Sequence, residues 1–335
     1  MRIDRLPVST VALAASLAVA AGADAAVWRI PGHFATIQAA IDSPRVKDGD
    51  TLRVLTGSHA GATVTKAVTI RGWDRAGTGV LIVDGPVVNP YGKAGFFFPG
   101  AGAGSGATIA DLAFSNVAFA VFSRGANDVS VVGTTTWGAL QGITNWGRGQ
   151  WGRGWDITRN RILGLRTSCG GGIGILIGDY QGATVTGNRI AHNEVEGRLH
   201  VPGDDCGGYS APGILLMADF RLPGDTGAVI EGNRVAKNRV FLASSEPIVV
   251  PAAGIELSDT RNTPALLVIR QNEVVYNDLR RLTHPIALTP DELATVNRIE
   301  WNWMGEPFAA RNRSAAPEGL SRATAGPAAD PKPIR

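Results

Sequence analysis

Three aspartates, Asp179, Asp219 and Asp259, recur at an interval of 40 residues. Each ends a short apolar segment, as Gly178-Asp179, Ala218-Asp219 and Ser258-Asp259. If those segments stack as neighbouring strands, consecutive carboxylates lie about 5 Å apart, the separation that retaining glycosidases use. Like charges that close raise one pKa or recruit a cation such as Ca²⁺, so the column could supply an acid, a base or metal ligands. A plainer task fits the same residues, because an aspartate after a strand caps the following turn through an Asx bond.

A second candidate lies just upstream. The segment Asn145-Trp146-Gly147-Arg148-Gly149-Gln150-Trp151-Gly152-Arg153-Gly154-Trp155 sets three indoles and two guanidiniums among glycines. Indole faces stack on sugar rings and guanidinium forks pair with carboxylates, which together suit an acidic polysaccharide. Asn145, Trp146, Arg148, Trp151 and Arg153 are therefore the expected substrate contacts. The alternative is a glycine-rich loop whose indoles fold back onto the protein. A later loop, residues 198–211, carries His200, Asp204, Asp205 and Cys206. His200 or the Asp204-Asp205 pair could add an acid or base beside the aspartates, although a surface loop rich in Asp and Gly needs no such role.

A repeat must position these residues. Five segments align: Asn160-Arg161-Ile162, Asn188-Arg189-Ile190, Asn233-Arg234-Val235, Asn272-Glu273-Val274 and Asn297-Arg298-Ile299. In four of them a second asparagine follows five residues later, at Asn193, Asn238, Asn277 and Asn302. Upstream recur Gly142-Ile143, Gly174-Ile175, Gly213-Ile214, Gly254-Ile255 and Pro285-Ile286. The first asparagines are 28, 45, 39 and 25 residues apart, so a constant core carries loops of different length. Alternating apolar residues such as Ile175 and Ile177 mark strands buried on one face, and such coils must stack to bury it. Each asparagine then sits roughly 4.8 Å from its equivalent and can bond to it as a ladder, which a column of carboxylates could not do. On this alignment Arg161, Arg189, Arg234 and Arg298 form an outer column broken by Glu273, a solvated face.

The first half, residues 51–133, follows the same style less regularly, and residues 34–42 read as a short amphipathic helix capping the first coil. Residues 290–294 carry a helix-start pattern after Thr289, but the repeat makes residues 286–289 a strand. Arg2 and Arg5 precede an apolar run ending in Ala23-Asp24-Ala25, the pattern of a secretory signal peptide over residues 1–25. The expected domain covers 26–308, and the Pro/Ala/Arg-rich residues 309–335 are expected to form a disordered tail. Cys169 and Cys206 enter adjacent repeats at nearly equivalent places, and an oxidising compartment favours a disulfide between them. A formal net charge of +3 gives no case for a nucleic-acid or membrane partner, and no later segment is apolar enough to span a bilayer.

The asparagine motifs, with Ala35-Thr36-Ile37-Gln38-Ala39-Ala40-Ile41 and Gly49-Asp50-Thr51-Leu52, resemble the pectin lyase-like superfamily over roughly residues 27 to 305. The resemblance implies an all-β, right-handed parallel β-helix solenoid. It implies no single activity, since relatives include lyases, hydrolases, epimerases, adhesins and copper-delivery proteins. The catalytic signatures of pectin hydrolases, alginate epimerases and pectate lyases are absent, and few Met and His speak for copper. The sequence thus leaves two expectations: a monomeric, periplasmic or secreted lyase or hydrolase of an acidic glycan, using Asp179, Asp219 and Asp259, or a non-catalytic glycan-binding or envelope scaffold.

Overall fold

The computed structural model describes residues 25–74, 79–100, 102–148, 152–166, 172–180, 184–197, 213–219, 228–242, 253–259, 267–280, 282, 284–288 and 296–303. Its strands form a parallel β-helix. The first sheet has ten strands, from Val27–Ile30 to Arg298–Glu300, and the second has seven, from Gly57–Ala60 to Arg239–Leu242. The third runs from Ala62–Thr63 to His284–Leu288, and a fourth of four strands begins at Gly152–Arg153. A representative coil passes through Ile175–Tyr180, Thr184–Thr186, Arg189–Ala191 and Glu194–Gly197, in the third, fourth, first and second sheets in turn. Every strand of that coil pairs in parallel with its counterpart in the next. No helix among the described residues is long and apolar enough to cross a membrane.

Pleating puts the middle residue of each first-sheet strand inside, and Ile157, Ile190, Val235, Val274 and Ile299 are all buried in one core. The Gly-Ile motifs set the third sheet's register, since Ile143, Ile175, Ile214, Ile255 and Ile286 pair in succession. The helix spans Ile37–Asp42, capped by Thr36, whose hydroxyl accepts from Ala39 N at 3.1 Å. Its inner face (Ile37, Ala40 and Ile41) joins the core. Gln38 Oε1 accepts from Thr63 N at 2.8 Å, so the helix satisfies a donor on the third sheet's end strand, Ala62–Thr63.

Two asparagine columns flank the first sheet, but with one change of register. Asn160 donates through Nδ2 to Asn193 Oδ1 at 3.0 Å and so heads the second column, Asn160, Asn193, Asn238, Asn277 and Asn302. The first column is Asn188, Asn233, Asn272 and Asn297. Trp155 takes the first-column place in the rung of Asn160. It is fully buried, its backbone N donates to Asn188 Oδ1 at 2.8 Å, and its indole donates to Ala126 O at 2.9 Å. The spacing at that step is therefore 33 residues rather than the expected 28. Arg161 consequently leaves the arginine column. Asp156, Arg189, Arg234, Glu273 and Arg298 align on the first sheet, whereas Arg161 aligns with Glu194 on the second. Arg189–Asp156 (2.8 Å) and Arg234–Glu273 (2.8 Å) neutralise the former column, and Arg161–Glu194 (2.9 Å) the latter.

The irregular first half has the same path with a different filling. Val68, Ala107, Val129 and Trp155 each accept from the following rung's strand as Asn188 does, so apolar side chains occupy the first column there. At the N-terminal end Asp50 stands in it. Asp50 Oδ1 accepts from Ala26 N at 2.8 Å, and Oδ2 accepts from Trp28 Nε1 at 2.8 Å and Lys47 N at 2.9 Å. Burial opposes the charged form, but these donors, led by Lys47 N and Trp28, outweigh it and lower the Asp50 pKa.

Asn238 shows what the ladder demands. Its Oδ1 accepts from Asn193 N (3.0 Å) and Nδ2 (2.9 Å), while its Nδ2 donates to Ile190 O (2.9 Å) and Asn277 Oδ1 (3.0 Å). Asn238→Asp removes both donors and sets a buried charge against two acceptors. The expected loss at neutral pH is at least about 3 kcal/mol, partly recovered at pH 4 as the acid regains a proton. Denaturant unfolding at both pH values checks this, and a loss within about 0.5 kcal/mol would remove the ladder from the stability argument. For Asp50 the lowered folded pKa means that its contribution is complete above the unfolded value near 3.8 and is lost as pH falls through the lower folded value. Asp50→Asn is expected to flatten that acid limb of a stability–pH curve.

Candidate functional site

The register of the third sheet breaks the expected carboxylate column. Asp179 pairs with Ala218, and Ala218 with Asp259, whereas Asp219 pairs with Tyr180. Asp179 and Asp259 are thus two rungs apart, roughly 9–10 Å at the backbone. Asp219 lies one place along the strand, an offset that exchanges the faces of a pleated sheet. The cause is readable in the chain: Gly174, Gly213 and Gly254 are 39 and 41 residues apart, not 40. The side chains of Asp179, Asp219 and Asp259 lie outside the described residues, as does that of Arg148, whose backbone pairs with Tyr180. Trp151, His200, Asp204, Asp205, Cys169 and Cys206 also lie outside them.

The outer face of the third sheet carries an apolar layer. Phe97 stacks on Phe122 at 6.0 Å, Phe119 meets Phe122 at 4.6 Å, and Leu176, Leu215 and Met217 continue the layer. Trp146 joins it half-buried, with its indole lying across the next rung, where a Cβ on Gly178 would come within 2.6 Å of the ring. Asn145 points the other way. It is fully buried between Ser123 and Ile177, and among the described residues neither atom of its amide has a hydrogen-bond partner. The expectation that Asn145 touches substrate is therefore corrected, because strand alternation turns it into the core. Arg153 is exposed at the end of the fourth sheet's first strand, 3.9 Å from Asp128, on a different side of the coil from Trp146. Among the described residues no group of three or more His, Cys, Asp or Glu side chains is arranged to hold a metal ion.

What the structure does bring together is a line along one edge. The residue before every column asparagine but Asn297 takes a left-handed conformation. Before the first column these are Gly187, Gly232 and Gln271, with Gly154 before Trp155. Before the second they are Arg159, His192, Lys237, Tyr276 and Trp301, at φ between 52° and 59°. Their rungs are stacked, so the five side chains follow one another at roughly 4.8 Å along the corner between the first and second sheets. All five are exposed. Among the described residues neither Arg159 nor Lys237 is in an ion pair, in contrast to the neutralised arginines on either side. The Tyr276 and Trp301 rings lie parallel, 4.9 Å apart at 14°. The guanidinium of Arg298 lies 4.8 Å from the Trp301 ring centroid, and Arg280 lies 3.8 Å from that of nearby Trp303. The signal was present in the chain, since each such residue directly precedes a second-column asparagine.

A comparison with family models finds no match, and one with curated proteins finds none. Among solved structures, the chain is similar to the crystal structure of Escherichia coli YbhC, at 14% identity and a TM-score of 0.37 over 90% of this chain and 87% of that one. Nothing is carried from that protein to this chain.

Asn145 supplies a clear test of placement. A buried amide with no partner costs about 1–3 kcal/mol, so Asn145→Leu is expected to leave stability unchanged or raise it, and to leave any glycan binding untouched. A melting curve and a binding titration on the variant suffice, and lost binding with intact melting would return Asn145 to the site.

Proposed function

We propose that this protein is an exported β-helix that binds an extended acidic polysaccharide without cleaving it, along the corner formed by Arg159, His192, Lys237, Tyr276 and Trp301. The observation that carries the reading is the choice of residue at those bends. A left-handed backbone costs an ordinary residue about 1–2 kcal/mol, and glycine is the economical choice. The corner before the first column uses glycine at Gly154, Gly187 and Gly232 and a side-chain-bearing residue only at Gln271, while its counterpart uses five side-chain-bearing residues in succession. Strain kept at all five bends of one corner and relieved by glycine at three bends of the other points to a use for the side chains.

Their chemistry suggests that use. Cations without carboxylate partners pair with anionic groups, and exposed aromatic rings take the apolar faces of sugars. Spacing by rung suits a ligand that is itself a linear repeat. Export, expected from residues 1–25, places such a protein among polysaccharides rather than nucleic acids. The non-catalytic reading is preferred to a lyase or hydrolase because the register separates the aspartates on which catalysis was to rest.

The proposal predicts opposite signs for two measurements. Arg159→Gly with Lys237→Gly relieves bend strain against the entropy of added glycine, so stability is expected to hold or rise by up to about 1 kcal/mol per site. Affinity for acidic polysaccharides is expected to fall several-fold and to lose salt dependence. Gel-retardation or calorimetry against a panel of uronate and sulfated polysaccharides, with neutral dextran as control, reads this. Equal binding by the variant, or no retention of any acidic polymer by the wild type at low salt, would sink it.

A further inference from the structure

The opposite end of the same sheet holds arginines that lack acidic partners. Arg29, Arg53 and Arg71 are direct neighbours on the first three strands of the first sheet. Like charges facing one another across strands destabilise a sheet. Arg71 is relieved by Asp111, at 2.8 Å. Among the described residues, Arg29 and Arg53 have no acidic partner. Asp74 is near in sequence, but its carboxylate is turned toward Gly79, where a Cβ would lie 2.4 Å from Oδ2.

Beside this pair an open groove of about 370 Å³ is lined by Arg29, Leu55, Thr56 and Trp73. That is the lower end of the range for small-molecule sites, about 300–1,000 Å³, and suits a single sugar ring. The Arg53 guanidinium lies over the Trp73 indole, 3.9 Å from its centroid, and Trp73 is still 42% exposed. A guanidinium stacked on an indole is held in place while its N–H groups stay available, which lowers the ordering cost of binding an anion.

We infer that Arg29, Arg53, Thr56 and Trp73 form a discrete site for one anionic sugar residue, with its carboxylate or sulfate on the two arginines and its ring against Trp73. The ligand's source rests on the glycan reading above, whereas the site is separate from the Arg159–Trp301 edge. A single residue fills this groove, while the edge needs a polymer. Leu55 and the indole face the ring's C–H groups, and Thr56 completes the groove wall beside them.

The test titrates full-length protein with free glucuronate, with N-acetylglucosamine 6-sulfate and with neutral glucose, by ligand-observed NMR and calorimetry. Saturable binding of one or both anions but not of glucose is expected, and the anion that binds identifies the group. Arg53→Gln and Trp73→Ala should each weaken it about tenfold or more, Trp73→Phe should restore part of the loss, and Arg29→Gln should weaken it with melting unchanged or raised. The Arg159→Gly, Lys237→Gly protein should bind the monosaccharide normally. Failure of polymer binding alone therefore removes the edge, and failure of monosaccharide binding alone removes this groove. Binding of neither anion, equal binding of glucose, or unchanged affinity in both Arg53→Gln and Trp73→Ala overturns the inference.

Discussion

A primary amide accepts twice through its oxygen and donates twice through its nitrogen, and the asparagines of this protein use all four valences in one direction. Asn193, Asn233, Asn238, Asn272 and Asn277 each receive the backbone N–H and the side-chain N–H of the rung behind, and give one proton to a strand carbonyl and one to the rung ahead. The bend that places the amide there leaves backbone groups which, buried, would otherwise be orphaned. The amide therefore closes the turn and joins the coils in one group. Because it works identically from rung to rung, it sets the register of everything else.

That register is held over a short interval and free elsewhere. Between the two columns lie a three-residue strand and one bend, in every coil from Trp155 onward. The path from the second column back to the first varies, giving separations of 33, 45, 39 and 25 residues. Variation is confined to the segments outside the amide brackets, where no ladder is interrupted by an insertion. Side chains on the bracketed corner are consequently in fixed line. Those in the variable segments, including most of the residues first suspected of chemistry, are not.

The fold was legible because the asparagine and Gly-Ile motifs are structural necessities repeated at each coil. Residue types alone do not fix a position in the coil, because the neighbours decide which column and which face a residue serves. Asn160-Arg161-Ile162 looks like Asn188-Arg189-Ile190, yet only Asn160's place five residues after Trp155 reveals which column it serves. The three aspartates looked periodic because 40 is the mean of 39 and 41, and a strand tolerates no averaging: one residue of error is the wrong face. Asn145 and Trp146 were judged by composition, whereas pleating sends the first into the core and lays the second on Gly178. Arg159, His192, Lys237, Tyr276 and Trp301 share no chemical type, so the exposed edge is legible only from their common place directly before the second-column asparagines.

That edge also has a direction. Its cationic members lie toward the N-terminal coils and its stacked rings toward the last described one, so the two ends of the line are chemically unlike. A uniform row would let a repeating polymer settle in any of several equivalent positions, shifted by a rung or reversed end for end. A graded row breaks that equivalence. On the function proposed above, a polysaccharide lying along it has one preferred polarity, with its reducing and non-reducing ends told apart by a surface that never grips either.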